Sequence, residues 1–188
     1  MKYDLAWLKQ RYDSGAQPEF FFFAASPAGT REMSLRSVLT QWYPSAFSVQ
    51  GDQYASAAHW MMVQKAKLFG DHAAATELLK MQSDDHIRQR GRQIDGFEQK
   101  HWDQHRYSIV MQGNLHKFSQ HPAMRTYISG TQPLVLSEAN PHDKVWGIGL
   151  EEHSPEASNP HQWRGLNLLG FALMEVRDRI NEELGIRN

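Results

Sequence analysis

The sequence contains no cysteine among its 188 residues. This absence excludes disulfide bonds, zinc sites built on thiolates and a cysteine nucleophile. Charge of one sign is not in excess either, because 20 Lys and Arg residues stand against 21 Asp and Glu residues, for a net charge of -1 with His neutral. A chain so balanced has no overall attraction to nucleic acid or to anionic membranes, although a local basic patch is compatible with the balance.

Long apolar runs are also absent. No window approaches the roughly 20 apolar residues that a membrane-spanning helix needs, and residues 1–7 lack the apolar core of a secretory signal. We therefore expect a cytoplasmic protein with no membrane partner. Apolar residues make up 40% of the chain and charged residues 22%, values typical of a globular protein. The length suits one compact domain, predicted to span residues 1–188.

The pattern along the chain predicts several helices and a few short strands. Helices are predicted over about 57–69, 71–81, 83–92, 98–119 and from Pro122 onward. The clearest helix is the last one, where apolar residues from Leu166 to Leu184 form a continuous stripe. Residues 20–24 favour a buried strand, residues 46–54 a hairpin around a glycine turn, and residues 134–136 a further strand. The expected fold class is α+β, mostly helical.

The most informative segment is 54–71, which reads Tyr-Ala-Ser-Ala-Ala-His-Trp-Met-Met-Val-Gln-Lys-Ala-Lys-Leu-Phe-Gly-Asp. At about 100° per residue, positions 58 and 65 project from the same face of a helix, with Met62 between them. Spacing alone favours an amphipathic core helix with Lys65 at the surface, and the alternative is a functional face. On such a face a carboxylate at position 58 could activate water and Lys65 could hold a phosphate or tune that carboxylate. Ala58 can do neither.

Segment 54–71 resembles the signature helix of the NADAR (YbiA-like) family of N-glycosidases. Other elements of that family follow in order: Leu-Thr-Gln-Trp-Tyr-Pro at 39–44, Gly-Arg at 91–92 with Trp102, Glu138 followed by Asp143 and Trp-Gly-Ile-Gly at 146–149, and Trp-Arg-Gly-Leu-Asn-Leu-Leu-Gly at 163–170. Within residues 1–188, the resemblance is strongest from about residue 20 to residue 180. It therefore implies a single YbiA-like domain.

One landmark of the family is missing. Where the resemblance implies a catalytic glutamate, this chain has Ala58. Loss of a general acid or base typically slows a reaction by ~10²–10⁴, so we expect this chain to be inactivated while it still binds substrate. Ala58 is either an engineered inactivating substitution or the mark of a natural degenerate member, and the intact neighbouring motifs favour the first.

The resemblance also implies the residues of the site. Position 58 and Asp143 are the catalytic candidates. Lysine and arginine suit phosphate, and tryptophan suits the stacking of a base. The candidate substrate-binding residues are Gln41, Trp42, His59, Lys65, Arg92, Trp102, Glu138, Trp146, Gly147 and Asn167. For Asn167 an alternative stays open, in which the side chain caps a helix and the neighbouring glycines allow close packing.

The implied reaction is hydrolysis of the bond between ribose C1 and a nitrogen of a base. The favoured substrate is ADP-ribosylated guanine in nucleic acid, and the alternative is a ribosylaminopyrimidine phosphate of the riboflavin pathway. A rival of another class is a non-catalytic reader of ADP-ribose or a nucleotide, and a third is an interaction domain without a ligand. No cofactor and no metal are expected, since His101 and His105 lack a third ligand at suitable spacing.

Overall fold

The structure is a computed structural model that describes residues 1–25 and 35–186. Its α-helices are α1 Leu5–Asp13, α2 Ala57–Leu68, α3 His72–Lys80, α4 Asp84–Gly91, α5 Gln99–Gln120, α6 Pro122–Ser129 and α7 Leu168–Glu183. Its strands are β1 Phe20–Phe23, β2 Phe47–Val49, β3 Asp52–Tyr54 and β4 Val135–Glu138, and a 3-10 helix spans Leu35–Leu39. The predicted mostly helical α+β class is confirmed. None of the helices in the described part of the chain has the length and apolar character needed to cross a bilayer.

The chain divides into two compact units. The insert unit is the continuous stretch Gln41–His121, and the split unit combines Met1–Thr40 with Pro122–Asn188. The single domain expected from the sequence stays a prediction.

The insert unit is built around α2. Ser56 begins this helix, because its side chain accepts a hydrogen bond from the backbone N–H of His59 at 3.1 Å, and Gly70, with φ of +72°, follows its end. Trp60 projects from α2 into the core and donates its indole N–H to the Ile109 carbonyl of α5 at 2.9 Å. A side chain at Gly113 would collide with the Trp60 ring. This close approach fixes α2 against α5.

The other boundaries of the insert unit follow local chemistry. Asp71 caps α3 by accepting from the Ala74 N–H at 2.9 Å, and the side chains of Ser83 and Glu98 cap α4 and α5 in the same way. Strands β2 and β3 pair antiparallel across Gln50 and Gly51, both of which have positive φ. The predicted hairpin and the predicted starts of all three helices are confirmed.

The split unit centres on β1 and β4, which pair in parallel from Phe20 opposite Val135 to Phe23 opposite Glu138. The expected burial of β1 is only partly correct, because Phe23 is buried while the three preceding phenylalanines are half-buried. Helix α7 packs against β4. A side chain at Gly170 would collide with the Leu136 carbonyl, so glycine is what allows this contact.

Two expectations for the split unit are corrected. Helix α1, which Asp4 caps through the Trp7 N–H at 2.7 Å, was not predicted. The apolar stripe of α7 is shorter than expected, since Leu166 and Leu184 lie outside the helix and are 43% and 46% exposed. The reason at the first end is Asn167, whose left-handed backbone (φ +53°) interrupts the helical path before Leu168.

Candidate functional site

Ala58 is fully buried in the first turn of α2. Its backbone N–H donates to the Gln41 carbonyl at 2.8 Å. The side chain of Gln41 accepts a 2.7 Å hydrogen bond from Asn114 Nδ2 of α5, and both amides are buried. Gln41 Nε2 and Asn114 Oδ1 are nevertheless left without a hydrogen-bond partner among the described residues. One donor, on the residue that contacts position 58, and one acceptor, on α5, are therefore unsatisfied.

Lys117 lies one turn beyond Asn114 on the same buried side of α5. It is fully buried, and its Nζ lies 5.6 Å from the centre of the Tyr43 ring and 5.0 Å from that of Phe118. Desolvation lowers the pKa of this amine from 10.5 to about 7. An amine that is partly neutral at physiological pH is unusual for lysine. Such a perturbed pKa makes the region around Lys117 a candidate functional site.

His59 is buried beside Ala58. Its Nδ1 accepts a hydrogen bond from the Ala55 N–H at 3.1 Å, so Nε2 must carry the proton that is donated to the Leu78 carbonyl at 2.8 Å. Burial lowers the pKa of the imidazole. Both ring nitrogens of His59 thus bind the protein itself, and its predicted contact with substrate stays a prediction.

Lys65 and Trp102 come together at the far end of α2, and Arg92 follows the glycine that Lys65 binds. The Lys65 ammonium donates to the Gly91 carbonyl at 2.9 Å and lies 4.3 Å from the centre of the Phe97 ring and 5.8 Å from that of Trp102. Desolvation lowers the pKa of Lys65.

Met62 packs on the same Gly91, where a side chain would strike its sulfur. Met62 and Lys65 therefore lie on one face of α2, as their spacing predicts. Arg92 follows Gly91 as the exposed C-cap of α4.

Trp42 is half-buried, and the guanidinium of Arg88 lies over its ring at 3.6 Å from the centroid. This pair borders an open cavity beside the start of α2. The sequence indicated Trp42 but not Arg88.

In the split unit, β4 ends at Glu138 and the following loop carries Asp143, Trp146 and Gly147. The Oε2 atom of Glu138 is buried without a hydrogen-bond partner among the described residues. Desolvation, and then the nearby charge of Asp143, raises the pKa of Glu138 from 4.5 to about 8. This carboxyl group is therefore largely protonated at neutral pH and suits the role of a proton donor.

The loop is held by the carboxylate of Asp143. Its Oδ1 accepts from the N–H groups of Val145 and Trp146 at 2.9 and 2.7 Å. Gly147 packs against backbone, since a side chain there would come 2.9 Å from the Glu138 carbonyl and 3.1 Å from that of Asp143. The close approach expected of Gly147 is thus made to the protein's own backbone in this structure.

Asn167 is fully buried just before α7. Its Oδ1 accepts from the Glu138 N–H at 3.0 Å, and its Nδ2 donates to the Leu136 carbonyl at 2.9 Å. Asn167 is the N-cap residue of α7, but its side chain binds β4 and makes no capping hydrogen bond to α7. The close packing expected of the neighbouring glycines is confirmed at Gly170.

The first N–H groups of α7 have protein partners as well. Leu168 and Leu169 donate to the carbonyls of Val145 and Trp146 at 3.2 and 3.1 Å. A phosphate at this end of α7 would have to compete with them.

Sequence reasoning missed Asn114 and Lys117. The signal was present, because Val110, Asn114 and Lys117 follow the spacing of one helical face. Two polar residues on an otherwise buried face indicate a polar site inside the protein. Within residues 1–25 and 35–186, no group of three or more His, Asp or Glu side chains is arranged to hold a metal ion.

Comparison with known proteins places these residues in a family. The NADAR domain model matches residues 28–181. The chain is 36% identical over 146 residues to N-glycosidase R617 of Acanthamoeba polyphaga mimivirus, an alignment that covers 75% of this chain and 86% of that protein. It is 26% identical over 132 residues to N-glycosidase YbiA of Escherichia coli, covering 70% and 74%.

The fold agrees with these sequence matches. The NMR structure of E. coli YbiA superposes with a TM-score of 0.70 over 92% of this chain and 93% of that one, at 21% identity.

Proposed function

Because this chain belongs to the NADAR domain family, we propose that it binds a ribosyl N-glycoside, with ADP-ribosylated guanine in nucleic acid as the favoured substrate. We further propose that Ala58 leaves the chain poorly active at a site that is otherwise intact. Two similar proteins, R617 and YbiA, are named N-glycosidases. The observation that carries the proposal is the unsatisfied amide pair of Gln41 and Asn114 beside position 58.

Buried polar atoms are nearly always hydrogen-bonded, and leaving one unpaired costs about 1–3 kcal/mol. Gln41 Nε2 needs an acceptor and Asn114 Oδ1 needs a donor. A ribose hydroxyl supplies both, and a carboxylate at position 58 would supply the acceptor. The pair therefore fits a site that is completed by a sugar together with the family's glutamate.

The proposed reaction is a hydrolysis. A carboxylate at position 58 takes a proton from water while the water oxygen bonds to ribose C1. The bond between C1 and the base nitrogen breaks, and its electron pair takes a proton from a general acid. Within the split unit, the raised pKa of Glu138 suits that role, because it keeps the carboxyl group protonated at neutral pH. Asp143 stays the candidate that the family resemblance gives for ribose hydroxyls. Ala58 removes only the group that activates water.

Charged and aromatic residues account for the rest of the substrate. Lys65 and Arg92 suit phosphate groups, because one is an ammonium held in place by Gly91 and the other an exposed guanidinium. Trp102 and Trp146 are candidates for stacking on a base. A single phosphate would suit a ribosylaminopyrimidine phosphate, and a pyrophosphate would suit ADP-ribose. Two separate cations favour the longer ligand.

The test is restoration of the glutamate. We expect Ala58→Glu to release ADP-ribose from an ADP-ribosylated guanine oligonucleotide about 10²–10⁴ times faster than the present chain. Ala58→Gln, which has the same shape without the charge, is the matched control and should stay slow. Replacing Glu138 by Gln in the Ala58→Glu background should remove most of that gain, and the activity of Ala58→Glu itself should fall above about pH 8, where Glu138 loses its proton.

The same assay separates the alternatives. Release of base from ribosylaminopyrimidine phosphates, without action on the oligonucleotide, would assign the riboflavin-type substrate. Tight binding of the modified oligonucleotide by every variant, with no cleavage, would establish the non-catalytic reader. Neither binding nor cleavage, in variants whose thermal melting shows them to be folded, would defeat the proposal.

A further inference from the structure

The insert unit contains a cavity of about 540 Å³ beside the N-terminal end of α2. This volume lies in the range of small-molecule sites, roughly 300–1,000 Å³. Its wall includes Trp42, Ser56, Asp84, Asp85 and Arg88. Trp42 follows Gln41, the residue whose carbonyl binds Ala58, so the cavity opens next to the segment that contacts position 58.

The wall combines a stacking surface with two carboxylates. The Arg88 guanidinium lies 3.6 Å from the centre of the Trp42 ring, and such a supported plane is a good surface for a flat conjugated ring. Asp84 and Asp85 form the first turn of α4. Within the described chain neither carboxylate makes a hydrogen bond or an ion pair. Their negative charges do favour the charged form of Arg88, against the desolvation that lowers its pKa.

The charges select the class of ligand. Two carboxylates against one guanidinium repel a phosphate. They also supply too few oxygens for a calcium ion, which takes 6–8, and Arg88 would repel any cation. An ionised carboxylate is only an acceptor, so its natural partners are N–H donors. The cavity therefore suits an uncharged planar ring that carries N–H groups on one edge.

We propose that this cavity is the nucleobase subsite. The Arg88 guanidinium, backed by the Trp42 ring, stacks on the base there, in place of Trp102 or Trp146, and Asp84 and Asp85 accept hydrogen bonds from adjacent N–H donors. Guanine has such an edge, because a ring N–H stands next to an exocyclic amino group. Adenine places a bare ring nitrogen beside its amino group, and hypoxanthine lacks the amino group. The subsite thus selects guanine-type rings, and this inference rests on the proposed function for its place in the reaction.

The test uses the present chain, which is expected to bind without cleaving. Guanosine and inosine are titrated separately and binding is followed by NMR chemical shifts, since these nucleosides differ only in the 2-amino group and carry no phosphate. Guanosine should bind about 10 to 100 times more tightly, the discrimination expected of a paired contact. In Asp84→Asn/Asp85→Asn, whose side chains keep their shape and suit a first helical turn, this preference should disappear. Glu183→Gln, an exposed carboxylate change at the end of α7, should keep it.

A second variant separates stacking from edge recognition. Arg88→Lys keeps the positive charge but loses the planar group, so guanosine and inosine should both bind more weakly by a similar factor, with their ratio preserved. Equal affinity for the two nucleosides in the unaltered chain, or an unchanged preference in the double aspartate variant, would overturn the subsite.

That failure differs from failure of the proposed function. If the subsite alone is wrong, the double aspartate variant binds ADP-ribosylated guanine DNA as well as the unaltered chain does. If the function is wrong, neither protein binds that DNA, and Ala58→Glu does not cleave it.

Discussion

Asn114 of the insert unit and Asn167 of the split unit are both fully buried, yet they are used in opposite ways. Asn167 satisfies both ends of its amide on the backbone of β4. Asn114 donates to Gln41 and to its own helix, but its Oδ1 has no partner within the described residues. A complete set of hydrogen bonds serves the fold, whereas an incomplete set is what a ligand can complete.

The largest effect expected from this contrast comes from Lys117, the third polar group in the region of Asn114. Between pH 7 and 10.5 the unfolded chain holds a proton on this amine that the folded chain has lost. The free energy of unfolding should therefore rise with pH, on the order of 3 kcal/mol between pH 7 and 9.5. Urea unfolding at a series of pH values measures this rise.

Replacing the amine isolates its share of the pH dependence. Lys117→Met should be more stable than the unaltered chain at pH 7 and should lack most of the slope. Lys100→Met, an exposed change on the same helix, should keep it. A slope that survives in Lys117→Met would show that the buried amine is not its source.

The next effect sharpens the contrast between the asparagines directly. Asn167→Ala should lower the free energy of unfolding by about 2–3 kcal/mol, because it leaves the Glu138 N–H and the Leu136 carbonyl unpaired and places alanine at a left-handed φ. Asn167→Gly should recover part of that loss by relieving the backbone strain. Thermal and urea unfolding measure both, and Asn114→Ala should cost at least 1 kcal/mol less than Asn167→Ala. Equal losses of stability in Asn114→Ala and Asn167→Ala would show that the two asparagines do not differ in their contribution to the fold.

The smallest effect on stability is expected from replacing the unsatisfied pair as a whole. Gln41→Met/Asn114→Leu removes the hydrogen bond between the two side chains and the one from Asn114 to the Val110 carbonyl, together with two unsatisfied atoms. Stability should therefore change by less than about 1 kcal/mol. Binding of free ADP-ribose, measured by calorimetry, should fall at least tenfold. A large loss of stability with unchanged binding would mean that the pair serves the fold, as Asn167 does.

The sequence predicted local structure well where local chemistry decides it. The starts of α3, α4 and α5 coincide with Asp71, Ser83 and Glu98, side chains that cap a helix through nearby N–H groups. Helix α1 was not predicted. The start of α7 was placed too early because the left-handed backbone of Asn167 is fixed by β4, a distant partner that periodicity does not reveal.

The candidate site was predictable to a similar degree. Family resemblance indicated Gln41 and position 58, which the structure joins by a backbone hydrogen bond. It did not indicate that Gln41 pairs with Asn114, or that Lys117 is buried, because both depend on packing between α2 and α5. The preference of Glu138 for its protonated form also depends on burial, which no spacing in the sequence encodes.

The pairing of β1 with β4 also affects how the protein is made. The two strands are about 115 positions apart along the chain, and a chain leaves the ribosome from its N-terminus. The four consecutive phenylalanines of β1 therefore have no partner strand while the whole insert unit is synthesised. An apolar strand with an open edge is a template for aggregation. During synthesis, Phe20–Phe23 is thus an apolar segment of the nascent chain that stays unpaired until β4 has been made.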